Sequence, residues 1–477
     1  MTSASFAPLR RRDFTLLWTG SMVSNVGSWM QTVAVGALVT AATGKDLWTV
    51  LVAAAAFLPI GLLSPVGGAL ADRLERRRWL IVGNLVETAL AGLLAVLVYA
   101  GQTSPGLLVL VVAAQGCVTA LVIPFQQAIL PDLVPRDELL AAASLSSAQF
   151  NLGRVIGPAL AGITVATLGY GAAFVANAVS FLAVVVALSF IRLPPPPGTV
   201  GRRLWQTIRE GARATRDNPS CRAAVGLIAV VALLASPFIA LVPAVARSLT
   251  DGSKHAVGTA TAVLTTAQGV GAVFGALAVA PLAQRFGRGR VLVAELVGLC
   301  MALMAYAWAP SLVAAAVALV LVGAIYLGVL SGLSTVVQLQ APEAYRGRIL
   351  SLYFVALGVV YPIGSLIQGP VADATSLGLT TTVGAGLLLA VLTGLAVARP
   401  HVLNALGLDE PAGAANNPAG AANNPAGAAN NPAGAADNRA EAADNRAGAA
   451  DNRAEAADNR AEAADNPADN PADSRLR

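Results

Sequence analysis

The sequence predicts an all-α polytopic membrane protein, with twelve transmembrane helices in two six-helix halves and a disordered C-terminal tail. Three observations predict it. Of the 477 residues, 56% are hydrophobic and only 12% charged, against about 25% charged in an ordinary soluble domain. Twelve apolar segments are long enough to cross a hydrocarbon core of about 30 Å, which takes about 20 residues. Basic residues recur in alternate loops, and an excess of arginine beside apolar spans marks the cytoplasmic side.

Taken in order, the spans are expected at 14–40, 47–71, 79–100, 105–130, 139–168 and 171–192 in the first half. Those of the second half are expected at 221–247, 256–283, 290–308, 310–337, 349–371 and 376–398. If residue 1 starts inside, Arg10 to Arg12, Arg73 with Arg76 to Arg78, Arg136, the 202–222 stretch, Arg285 to Arg290, Arg346 with Arg348, and Arg399 all fall on one side. Lys45, Arg247 and Lys254 are the exceptions. The expected organisation is a cytoplasmic N-terminus (1–13), a first half (14–192), a cytoplasmic linker (193–220), a second half (221–398) and a cytoplasmic tail (399–477). The expected location is the inner (cell) membrane, with both termini cytoplasmic and lipid as the surroundings. The first residues contain no compact apolar core with a small-residue cleavage site, so the first span is expected to stay in the mature protein.

At the midpoint, Pro194 to Pro197 cannot continue a helix. The 202–216 stretch that follows, with Trp205, Ile208, Arg209, Arg213 and Arg216, reads as a short helix lying on the inner leaflet. After Arg399 the composition changes to a seven-residue repeat, Pro-Ala-Gly-Ala-Ala-Asn-Asn, starting at Pro411 and drifting into Arg-Ala-Glu-Ala-Ala-Asp-Asn. It has no large apolar residue to fill a coiled-coil seam, so the tail is expected to be disordered.

Several function classes fall away. Cys117, Cys221 and Cys300 show no metal or redox spacing and read as small apolar residues at or within helices, while His255 and His401 fall in expected loops. No metal or cofactor is expected. Nor is an enzyme, since no nucleophile–base pair or phosphate loop appears. The net charge of +5 follows from topology and does not imply nucleic-acid binding.

The informative residues are polar groups inside spans, which usually face the bundle interior or a water-filled cavity. Asn25 and Gln31 share one face of the first helix with Ser28. Gln115 and Gln126 lie on the fourth, Asn151 and Arg154 on the fifth, Asn177 on the sixth and Tyr353 on the eleventh. A polar-lined cavity between two halves suits passage of a small-molecule substrate. Arg154, near the middle of its span, costs at least about 2.5–3.5 kcal/mol unless it meets water or an acid. Glu87 is the first acid by depth and Asp132 the next; Arg154 either ties helices together or takes part in substrate binding or coupling. A carboxylate in a dry bundle can carry protons, which makes Glu87 a coupling candidate alongside Arg154. Glu295, five residues from Arg290, reads as half of a structural ion pair. Gly153, Gly157, Pro158 and Gly162 give the fifth helix a flat, bendable face, fit for a pivot or for plain close packing.

The turn Gly67-Gly-Ala-Leu-Ala-Asp-Arg-Leu-Glu-Arg-Arg-Arg78 is a tight basic hairpin between two spans. It resembles the loop signature between helices two and three of the major facilitator superfamily. Arg154-Val-Ile-Gly-Pro-Ala-Leu-Ala-Gly162 is similar to the fifth-helix motif of that superfamily's antiporters. Asn25-Val-Gly-Ser-Trp-Met-Gln31, Leu130-Pro-Asp-Leu-Val-Pro135 and 151–162 resemble its enterobactin-exporter-like branch, the transmembrane secretion effectors. The resemblance implies the major facilitator fold and a cytoplasmic gate of Gly68, Asp72, Arg73 and Arg77. Asp72 would latch the outward-facing state. Arg285 would belong to a degraded copy at 283–290, where Gln284 replaces the acid. It also implies a monomeric secondary transporter exporting a small amphipathic molecule (a drug, siderophore or secondary metabolite) in exchange for protons. Uptake by a permease or symporter is the alternative, and a membrane sensor or scaffold acting through the tail is another.

Overall fold

The computed structural model describes residues 6–71, 74–135, 138–191, 204–342 and 345–406. After a 3-10 turn, Ala7–Arg10, the first half is built from α1 (Arg12–Thr43), α2 (Asp46–Ala71), α3 (Arg76–Tyr99), α4 (Pro105–Leu133), α5 (Leu139–Leu168) and α6 (Tyr170–Phe190). The shorter α7 (Leu204–Asp217) follows. The second half comprises α8 (Pro219–Leu234), α9 (Phe238–Ser248), α10 (Lys254–Phe286), α11 (Arg288–Ala307), α12 (Leu312–Gln340), α13 (Arg346–Ala374) and α14 (Leu377–Ala398), with a short α15 (Pro400–Asn404). Twelve spans are long and apolar enough to cross a membrane, α8 and α9 forming one between them. The tail expected to be disordered, 399–477, begins in ordered structure: Pro400–Asn404 form α15 and Leu406 is buried in the second-half core, while 407–477, like Asp72 and Arg73, lie outside the described residues.

Local chemistry sets the boundaries. Asn218, Ser253, Ser311 and Ser376 cap α8, α10, α12 and α14, each accepting a backbone N–H three residues on, which satisfies donors that a helix start leaves orphaned. The cap at Ser253 draws His255 into the first turn of α10 rather than a loop, and His401 likewise lies in α15. Gly287, at φ +86°, makes the turn between α10 and α11, a conformation that favours glycine.

One expected helix is two. The seventh span breaks at Ala235–Pro237, where Pro237 has no N–H to continue the ladder. Ser236 Oγ lies 3.1 Å from the Val231 carbonyl and 2.9 Å from Tyr326 Oη, so the break is rehydrogen-bonded inside the bundle, as lipid requires.

The surface helix appears at Leu204–Asp217, though the side chains of Trp205 and Ile208 lie outside the described residues. It is bound to the second half. Glu210 pairs with Arg348 of α13, Gly211 packs under the same residue, and the Asn218 amide donates to the Gln340 carbonyl at 2.8 Å.

Two apolar clusters belong to one half each. One fills the second half around Leu296, Leu319 and Tyr353; the other fills the arginine-rich end of the first half around Phe14, Leu80 and Phe125. Two more clusters join the halves. One packs Val257 and Ala262 of α10 among Ala34, Ala161 and Phe174; the other packs Val50 of α2 with Leu241 and Tyr361. Both lie away from the arginine-rich end, and that asymmetry positions the site.

Candidate functional site: a cleft closed at one face

The face bearing Arg10 to Arg12, Arg76 to Arg78 and α7 is called the basic face, and the other the far face. At the far face the halves are bonded together. Gly44, at φ +66°, turns the chain so that Asp46 opens α2 beside Arg247 of α9, whose Nη2 donates to Asp46 Oδ1 at 3.1 Å. Asp373, at the end of α13, accepts the N–H groups of Asp46 and Leu47 at 2.7 and 2.9 Å. A carboxylate from one half thus caps a helix of the other, where the helix dipole favours negative charge. Tyr170 Oη donates to the Lys254 carbonyl. In the adjoining loop Asp251 accepts the Ser253 N–H at 3.0 Å, which holds its carboxyl below the usual range.

From there two helix pairs run inward. On α5 and α10, Gly258 faces Val165, Gly162 faces Ala262, and Gly269 lies against the Arg154 carbonyl. On α2 and α13, Gly369 faces Val50 and Gly61 faces Gly358. Beyond mid-helix, no hydrogen bond or ion pair joins the halves among the described residues. The basic-side turns of α5 (Ser147, Ala148) and α10 (Ala276 to Ala278) are exposed. The bonds between the halves thus concentrate at the far face, and Arg154 stands at the basic-side end of the glycine contacts between α5 and α10.

Of the gate residues that are described, Arg77 and Arg285 make contacts within their own halves. Arg77 donates from Nε and Nη2 to the carbonyls of Leu188 and Ser189 at 2.8 and 2.9 Å, tying α3 to α6 inside the first half. Arg285 stacks on Phe286 of its own helix at 5.3 Å. A Cβ at Gly68 would meet nothing, whereas one at Gly67 would strike the Ala120 carbonyl at 2.9 Å. The close approach in this turn is thus made by Gly67.

Among the described residues Arg154 does not meet an acid. Its guanidinium lies 5.6 Å from the centre of the Trp29 ring, and none of the ion pairs among the described residues includes it. Asp132, an expected partner by depth, pairs with Arg76 at 2.5 Å. Glu87, the other, accepts from Thr119 Oγ1 at 2.5 Å. The helix carrying Arg154 is held from two sides. Gly153 and Gly157 bring α5 onto Asn25 and Trp29 of α1, while Gly162 faces α10; Pro158 lies between them.

The remaining polar candidates separate into two groups. Gln31, Gln115 and Asn177 are buried inside the first half rather than along the cleft. Gln31 donates to Gln115 Oε1 at 2.8 Å and accepts from Asn177 Nδ2 at 2.9 Å, while Ser180 donates to Asn177 at 2.7 Å. Gln115 also faces Glu87, so one hydrogen-bonded chain runs from Glu87 on α3 through α4 and α1 to α6. Gly27 makes room for it, since a Cβ there would lie 2.3 Å from Ser180 Oγ. Tyr353 is likewise internal, donating to the Leu330 carbonyl at 2.8 Å within the second-half core. Asn25 and Asn151 are half-buried and Gln126 is exposed on the basic-side turns of α4. Glu295 forms no ion pair with Arg290; both line an outer groove of about 480 Å³ between α10, α11 and α12.

Sequence reasoning passed over Asp46, Arg247 and Asp373. The available signal was Arg247 and Lys45 as exceptions to the charge alternation. No group of three or more metal-ligating side chains occurs among the described residues.

The profile of a family described as transmembrane secretion effector matches residues 3–412. The multidrug efflux pump Tap of Mycolicibacterium fortuitum is 25% identical over 78% of this chain and 92% of its own length. The enterobactin exporter EntS of Escherichia coli O1:K1 / APEC is 30% identical over 70% of this chain and 80% of its own. Among solved structures, a bacterial homologue of the human lysosomal transporter Spinster, inward-facing and unoccupied, superimposes with a TM-score of 0.61 at 16% identity, covering 83% of this chain and 97% of that one. A D-xylose–proton symporter gives 0.60 at 14% identity over 79% and 96%.

Proposed function

Because this chain belongs to the transmembrane secretion effector family of the major facilitator superfamily, we propose that it exports a small amphipathic molecule across the inner membrane by alternating access, driven by protons. The observation that carries this reading is the one-sided closure. Two six-helix bodies bonded at the far face, with no hydrogen bond or ion pair between them at the basic face among the described residues, suit one of the two end states that rocking requires. With arginines marking the cytoplasmic side, the basic face and both termini are cytoplasmic, and this state receives substrate from inside. The direction of net transport rests on the efflux relatives, EntS and Tap.

Glu87 is the proton-coupling candidate. It is buried, and its hydrogen-bonded chain reaches α1, which carries Trp29 beside Arg154. In everted membrane vesicles, an imposed acid-inside gradient is expected to drive uptake of an exported dye, read with a panel of anionic, neutral and cationic amphipathic dyes. Glu87→Gln is expected to abolish gradient-driven accumulation, since an amide cannot carry the proton, while leaving gradient-free exchange in place. Dye accumulation that persists in the mutant at the same gradient would remove Glu87 from coupling, and movement only in the opposite sense would favour uptake. Deleting Pro411 to Arg477 is expected to leave efflux near normal in a well-expressed protein; severe loss would favour the scaffold reading.

A further inference from the structure

Glu87, Asp132, Asp46 and Asp373 each have a bonded partner in Thr119, Arg76, Arg247 and the start of α2. Glu295 has none among the described residues. It enters no ion pair, and its carboxylate lies against Gly328 of α12, where a Cβ would strike Oε1. Glu295 is half-buried and stands two turns into α11, about 10 Å along the axis from the start of that helix. An ionisable side chain inside a span is costly unless something meets it, and here nothing in the protein does.

What the carboxylate faces is the outer groove between α10, α11 and α12. Leu282 and Phe286 of α10, 42% and 51% exposed, form its apolar wall with Ala294 of α11 and Ile325 of α12. Its volume of about 480 Å³ falls among ligand sites, which run from about 300 to 1,000 Å³. Arg290 lines the same groove nearer the start of α11 and is exposed, without an acid partner among the described residues. The step from Arg290 to Glu295 is a rise of about 7.5 Å. The groove therefore offers one cation at its mouth, one carboxylate further in and an apolar wall beside both, on the side of the second half that faces lipid.

We infer that this groove binds a phospholipid with a primary amine, its phosphate on Arg290, its ammonium on Glu295 and the start of an acyl chain along Leu282, Phe286 and Ile325. Charge complementarity selects the headgroup. A net anionic lipid such as phosphatidylglycerol would meet Glu295 with no cation of its own. A choline headgroup has the charge but no N–H, whereas a primary ammonium donates a charge-assisted hydrogen bond to the carboxylate. The site lies apart from the cleft between the halves and stands whatever the direction of transport. It still bears on the moving parts, because α10 packs against α5 of the first half at Gly162 and Gly269.

Native mass spectrometry of the full-length protein in detergent, offered equimolar phosphatidylethanolamine, phosphatidylcholine and phosphatidylglycerol with the same acyl chains, reads the preference. Phosphatidylethanolamine is expected to be retained about tenfold more than either of the others, on the scale of one hydrogen bond to a charged group. Glu295→Gln is expected to bring it down to the level of phosphatidylcholine, and Arg290→Gln to weaken all three lipids, which share the phosphate. Glu75→Gln, at an exposed acid of the basic face in the first half, is expected to keep the preference. Equal retention of the ethanolamine and choline lipids, a preference for phosphatidylglycerol, an unchanged preference in Glu295→Gln, or its loss in Glu75→Gln would overturn the inference. Should Glu295→Gln fail to fold, Ala294→Trp obstructs the groove with both charges in place; it is expected to lower retention of phosphatidylethanolamine, and undiminished retention would also overturn the inference.

Discussion

Replacing Arg247 with alanine is expected to shift the protein toward the state open at the far face by about tenfold or more. Asp46 is only 3% exposed, so losing its cation leaves a buried carboxylate beside a second one, Asp373, which bonds the same turn of α2. A hydrogen bond to a charged group contributes about 1.5–3 kcal/mol, and each 1.4 kcal/mol is about a factor of ten. The sign follows from geometry, because these bonds join the halves at the far face. Asp373→Ala acts in the same direction and more weakly, since it removes a cap worth about 0.5–2 kcal/mol. The measurement is the distance distribution between spin labels at Gln102 and Pro310, both exposed on far-face loops of opposite halves, in a background lacking Cys117, Cys221 and Cys300. An Arg247→Ala distribution that overlays the unaltered one would show that apolar packing alone holds this face.

The largest loss of stability is expected from Gly275→Leu. A Cβ at Gly275 would sit 2.2 Å from the Ala324 carbonyl, one at Gly271 1.9 Å from that of Val320, and one at Gly323 2.1 Å from that of Gln268. Every clashing atom is backbone, so relief requires α10 and α12 to separate. In lipid, helices associate mainly through such close packing. Overpacking typically costs about 1–3 kcal/mol and occasionally more; with every clash on backbone the upper end, about 3 kcal/mol, is expected, and at about 2–4 °C per kcal/mol this is a drop of about 6–12 °C in the melting temperature. Thermal unfolding followed by size-exclusion chromatography reads it. Gly394→Leu, where a Cβ meets nothing within 4 Å, is the matched control and is expected to be neutral; equal destabilisation by the two would refute the packing argument.

The twelve spans were legible because lipid imposes one rule on every segment: a long apolar run with its backbone satisfied internally. The break at Ala235–Pro237 was carried by a proline in plain view. It needed Tyr326, ninety residues away, to supply the partner for Ser236. Residues at the candidate site were legible by type and illegible by direction. Gln31, Gln115 and Asn177 were recognisable as costly groups in lipid, but hydrogen bonds between helices satisfied them within one half instead of leaving them for the cleft. Arg154 was found by its depth, while its neighbour Trp29 drew no separate attention because an aromatic residue costs nothing there. Asp46 and Asp373 escaped because an acid at a helix end is ordinary, and only the fold reveals that one caps a helix of the opposite half.

The attachment of α7 to α13 bears on the mechanics of the whole molecule. With Glu210 bonded to Arg348 and Asn218 to Gln340, the second body starts at Leu204, and the covalent link left between the bodies is 192–203. The surface helix therefore travels with the second body as one part, and a load placed on α7 passes to α13 and α12 rather than to the first half. The orientation of the two bodies is then carried by the contacts between them, Arg247 with Asp46 and Asp373 with the start of α2 first among the polar ones.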